Sequence, residues 1–215
     1  MKFPFFASFV IFILILQHNI RKGKKTSEQS EAEFWKRESC ANDVRRQSLE
    51  DLAYITFKAE PFFPINLLDA ANCPEFLSMN PDAKEILSRF LFLEQQKIVN
   101  LNEYTNTDLK FKYGVANLPA LTEMDSNYNE LITLLHNYGS LYAKEGYETQ
   151  TLTILEYAIS IGTDISGTYL LLADIYQKNK QWDKIDWLKK EAEIISTSRK
   201  NSIVRKLQEF GPCNG

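Results

Sequence analysis

The chain has 215 residues, of which 44% are hydrophobic, so a sizeable core is available and a disordered chain is excluded. Only eight glycines and seven prolines occur, which argues against a loop-rich all-β protein. Five of the 25 basic residues (Lys2, Arg21, Lys22, Lys24 and Lys25) fall in the first 25 positions, leaving 20 basic against 28 acidic, or −8; an acidic remainder without a basic stripe excludes nucleic acid as the expected partner.

The first element is apolar. Phe3 to Leu16 carries no charge, and the run extends to Ile20, about 27 Å as helix. The competing reading is a cleaved signal peptide. It needs small residues before a cut site, and here Gln17, His18 and Asn19 lead into a basic flank instead. The expectation is a single transmembrane helix over 1–20. The basic flank places the following domain in the cytoplasm of a single-pass cell-membrane protein. Residues 21–31 read as a juxtamembrane linker or a solvated helical extension.

From Glu31 to about Ala53 the periodicity predicts a helix, with Phe34, Trp35, Val44, Leu49 and Leu52 recurring between charges. Arg37, Arg45 and Arg46 alternate with Glu38 and Asp43, as on a solvated, salt-bridged face. Tyr54 to Ile65 alternates and holds two prolines, which predicts an extended segment. A short helix is expected over 67–77. Pro81 opens the next helix, whose wide stripe (Ile86, Leu87, Phe90, Leu91, Leu93) predicts burial on most sides. Residues 101–125 concentrate Asn, Thr and Asp. They read as caps and turns, with Thr107, Asp108 and Gly114 as candidates; a polar partner-binding surface is the alternative. Asp125 or Ser126 is expected to cap a long helix to about Glu145. Further helices follow near 148–162, 166–179, 182–195 and 198–209.

Those last helices repeat at 34 residues. Tyr138-Gly139 aligns with Leu172-Ala173, Tyr142 with Tyr176, and Ala158 with Ala192. The residues at 132–165 and 166–199 thus resemble two tetratricopeptide repeats. Thr151, Ile185 and Lys189 depart from that pattern, and Thr163 and Thr197 stand where a proline is usual. A third repeat does not continue upstream. Ile203, Val204, Leu207 and Phe210 form a capping face in 200–215, and 32–131 is expected to pack on the repeats. The fold class expected is all-α, with an N-terminal transmembrane helix, two tetratricopeptide-like pairs and a capping helix. The overall layout also resembles bacterial membrane-anchored proteins, on Phe34-Trp35-Lys36-Arg37-Glu38 and Asn106 to Lys110.

The resemblance implies a protein partner in a groove lined by the first helix of each pair. The lining would be Thr133, His136, Asn137, Ser140 and Lys144, then Leu170, Asp174, Gln177 and Lys178. His136 with Ser140, and Leu170 with Asp174, do not match the basic clamp of chaperone-tail binders. A repeat used only as packing scaffold is the alternative to a groove ligand, and a structural subunit of a larger membrane complex the alternative function.

Chemistry is not expected. Cys40, Cys73 and Cys213 are widely spaced, and His18 and His136 are the only histidines, so no metal and no cofactor are implied. Phosphate-loop, nucleophile-elbow, zincin and dinucleotide motifs do not occur. The reading is a membrane-anchored interaction or scaffold protein and not an enzyme.

Overall fold

Helix α1 runs through 29–42 and is followed by irregular chain. The computed structural model describes residues 12–13, 16, 29–60, 62 and 81–212. The short helix expected over 67–77, the linker 21–28, Cys73 and Cys213 lie outside the described residues. Further helices are α2 (Pro81–Leu93), α3 (Asn106–Tyr113), α4 (Leu118–Lys144), α5 (Glu148–Ser160), α6 (Ser166–Lys178), α7 (Trp182–Ile194) and α8 (Lys200–Leu207). The fold is all-helical, and the described residues include no strand.

The expected transmembrane helix is corrected. Among the described residues, no helix is long and apolar enough to cross a membrane. The longest, α4 at 27 residues, carries Glu123, Asp125 and Glu130 and buries a single apolar face, as a core-facing helix does. The apolar run 3–20 lies outside the described residues, except Phe12, Ile13 and Leu16.

Two compact units divide the chain: 1–48 with 105–118, and 49–104 with 119–215. In the first, α3 opens with a capping box. Thr105 Oγ1 accepts the Asp108 N–H, and the Asp108 carboxylate accepts the Thr105 N–H at 3.0 Å. The cap is therefore Thr105, two residues before the candidate Thr107. Gly114 ends α3 at φ +81, and a Cβ there would lie 2.7 Å from the Arg45 carbonyl carbon, so both backbone angle and close approach require glycine.

The helix expected from Glu31 to about Ala53 stops at 42. Beyond it the backbone finds another partner: the Gln47 N–H donates to the Tyr113 carbonyl at 2.9 Å. Nor is Glu38 on a solvated face. Its carboxylate is paired with Lys110, accepts the Thr107 hydroxyl at 2.8 Å, and is held below the usual carboxylate range by these two bonds. Phe34 and Trp35 point outward instead, 52% and 60% exposed.

The second unit contains the core. Extended residues 54–62 make one antiparallel bridge, Tyr54 with Val99, and no strand. Phe57 stacks with Phe62 and reaches Phe90 of α2, while Phe62 meets Tyr157 of α5 with ring centroids 4.9 Å apart. Helix α2 is less buried than its stripe predicts: Phe90 and Leu93 are buried, but Leu91 and Phe92 are each 46% exposed.

Helix α4 starts at Leu118, seven residues before the expected cap. Asp125 is inside the helix and serves another backbone, accepting the Leu101 N–H at 3.1 Å. Its C-terminal half begins a repetition. Helices α5 and α7 each have 13 residues and start 34 apart, at Glu148 and Trp182. Helices α4 and α6 end 34 apart, at Lys144 and Lys178. Even the turns match: Gly146 has φ +78 and Lys180 φ +55, and the following N–H groups bond back to Tyr142 and Tyr176 carbonyls at 3.0 and 2.8 Å. Tyr138, Gly139, Tyr142 and Ala158 are buried, as are Leu172, Ala173, Tyr176 and Ala192. Helix α6 packs against α5, α7 and α8, and Ile203 and Leu207 of α8 are fully buried.

Lys180 stands where the first pair has glycine, and the left-handed conformation disfavours its Cβ. The Lys180→Gly variant is expected to gain about 0.5–1 kcal/mol of stability. A urea midpoint that moves down would show that the lysine side chain contributes more than the backbone costs.

Candidate functional site

The last four turns of α4 and the exposed side of α2 form the walls of an open cleft of about 750 Å³. Helix α2 enters this position because Phe90 packs edge-on against Tyr138, ring centroids 6.0 Å apart. Its neighbour Arg89 is thereby turned toward α4. The guanidinium donates two hydrogen bonds to Glu130, at 2.5 and 2.7 Å, and lies 4.8 Å from the Phe92 ring centroid. A bidentate pair of this kind fixes direction better than it stabilises, since both side chains meet water.

Four of the nine sequence-predicted groove residues line this cleft: His136, Asn137, Ser140 and Lys144. Thr133 does not; its hydroxyl donates back to the Asn129 carbonyl at 2.8 Å. Leu170, Asp174, Gln177 and Lys178 are on α6 and do not line it. Asp174 and Lys178 pair with each other at 2.6 Å, and the side-chain oxygen of Gln177 is buried without a hydrogen-bond partner.

Sequence reasoning missed the opposite wall, Glu85, Ile86 and Arg89, and the apolar positions Leu134 and Leu141. A signal was present. Arg89 interrupts an apolar stripe between Leu87 and Phe90, where a charge must meet either solvent or a partner.

His136 has a structural role. Its Nδ1 is 3.1 Å from the Thr168 hydroxyl, and a Cβ on Gly167 would lie 2.6 Å from its Cε1. The ring therefore sits flush against the start of α6. Burial pushes its pKa below the ordinary 6.5. The unfolded chain then binds more protons than the native one below about pH 6.5, and stability falls as the pH drops through that range. The His136→Gln variant is expected to flatten this acid loss, read from urea midpoints between about pH 5 and pH 7.5. Parallel profiles for parent and variant would remove His136 from the explanation.

Among the described residues, no group of three His, Cys, Asp or Glu side chains is placed to hold a metal ion. Cys40 is exposed. The cleft presents apolar positions from Ile86, Leu134 and Leu141, one cross-wall ion pair, and the amide, hydroxyl and ammonium of Asn137, Ser140 and Lys144. No family model, curated protein or solved structure matches the chain.

Proposed function

We propose that the chain is a protein-interaction module, that its 132–199 region is tetratricopeptide-like, and that a partner segment binds in the cleft between α2 and α4. One observation carries the reading. The cleft joins an apolar base to polar groups with no partner of their own among the described residues, Asn137, Ser140 and Lys144. Such a mixture suits an extended peptide, whose backbone needs hydrogen bonds and whose side chains need burial. The 34-residue matching of helix ends and turns supports the repeat reading, because both pairs then obey one packing rule.

A photo-crosslinking side chain at Asn137 of the full chain tests this in the native host. The expected result is one discrete adduct that disappears when Ile86 and Leu141 are changed to Asp. The same adduct from exposed Thr153 on α5, or none from Asn137, would overturn the reading.

A second reading, a subunit held in a larger assembly, is favoured by Leu91 and Phe92, which are large, apolar and half exposed on α2. It predicts that changing both to Ser dissociates a native assembly while leaving the Asn137 adduct intact.

A further inference from the structure

A second concavity, of about 280 Å³, lies in the same unit and shares no residue with the cleft. Three stretches of chain converge on it: the loop 100–103, the end of α5 with the start of α6, and the end of α7 with the turn after it. Two carboxylates line it, Glu103 and Glu191, and among the described residues no Lys, Arg or His does. The nearby cation Arg199 is already paired with Asp164 at 3.2 Å.

Most of the other polar groups around this concavity are committed. Tyr169 donates to the Thr163 carbonyl at 3.1 Å, and Tyr128 donates to the Gly162 carbonyl at 2.7 Å. Glu103 accepts the Ser196 hydroxyl on Oε1 at 3.1 Å. The hydroxyl oxygen of Thr197, also in the wall, is buried with no hydrogen-bond partner among the described residues. The walls are not wholly polar. Ile159 backs the concavity but is itself only 2% exposed, and Ile194, 71% exposed, stands at the rim.

Two carboxylates lining a concave place attract positive charge more strongly than they would on an open surface. A bare metal ion is a poor match, since two carboxylates supply too few ligands. A long side chain with a charged head fits both features, because its methylene stem covers apolar surface while the head reaches the acids. We propose that this pocket receives a lysine or arginine side chain of a partner protein, its cationic head at Glu103 and Glu191 and its stem along Ile194. This site is separate from the cleft and does not depend on its ligand.

The test uses the isotope-labelled full chain and four probes in turn. They are a short peptide with one arginine between apolar residues, the same peptide with lysine, the same with glutamine, and spermidine. The arginine or lysine peptide is expected to shift the amide signals of 100–103 and 191–197 saturably, with glutamine at least tenfold weaker. The Glu103→Gln/Glu191→Gln double variant is expected to lose tenfold or more of that affinity, while Lys144→Ala loses none. Ile194→Ser, at an exposed position, checks the stem: it weakens the peptide severalfold and leaves spermidine unchanged. Equal binding of the glutamine peptide, unchanged affinity in the double variant, or saturation by spermidine without a response to either basic peptide would overturn the assignment.

Discussion

Replacing Gly139 with Leu is expected to destabilise the second unit by about 3 kcal/mol or more. Gly139 is fully buried where α5 crosses α4, and even a Cβ would lie 2.8 Å from Leu155 Cγ. Helix propensity acts the other way, since leaving glycine in a helix interior favours the variant by about 1 kcal/mol. Overpacking wins because the obstructing Leu155 is itself fully buried and has no free volume to move into. The urea midpoint should fall with the slope unchanged. A midpoint at or above that of the parent would show that α5 does not need so close an approach. The corresponding Ala173 tolerates its methyl, which marks how much tighter the first pair is.

The second large effect belongs to the other unit. Asn117 is fully buried, and its amide nitrogen donates to the Gln47 and Tyr113 carbonyls at 2.7 and 2.8 Å. Its oxygen accepts the Arg46 Nε–H at 2.8 Å. One side chain thus ties the irregular chain 43–48 to α3. Asn117→Ala strands the Gln47 carbonyl, at roughly 1–3 kcal/mol when buried and unpaired, while the Tyr113 carbonyl keeps the Gln47 N–H at 2.9 Å. Loss of about 2 kcal/mol is expected, visible as roughly thirtyfold faster hydrogen exchange of the α3 amides. Unchanged exchange in α3 would mean that water or another donor replaces the amide. An Asn117→Asp change tests the same hub differently, because it keeps the acceptor and loses the donors.

Much of the helical unit was legible before any coordinates. The positions Tyr138, Gly139, Tyr142 and Ala158, with their partners 34 residues later, are all buried, because close helix packing needs small and aromatic residues at set intervals. The capping face Ile203 and Leu207 was equally plain from its spacing. The cleft was half legible: His136, Asn137, Ser140 and Lys144 follow from the face of α4. The opposing wall from Glu85 to Arg89 does not, since no local rule says which surface a preceding helix will cover.

The helix of 29–42 shows the same limit from another side. Periodicity carried it to about Ala53, yet the chain leaves the helix once Gln47 can bond to Tyr113, 66 positions later in the sequence. Asp125 likewise reads as a cap from its type and neighbours but accepts the Leu101 N–H from within α4.

What the sequence by itself determined was much of what neighbours three, four or 34 residues apart set: which stretches are helical, the buried small and aromatic positions from α4 to α7, and the capping face of α8. Tertiary structure alone decided where helices stop against distant backbone, which side of α2 meets α4, and which carboxylates share a pocket. The physical reason is that periodicity and propensity act over a few turns of chain, whereas a buried donor is satisfied by whichever acceptor the fold brings to it, at any separation.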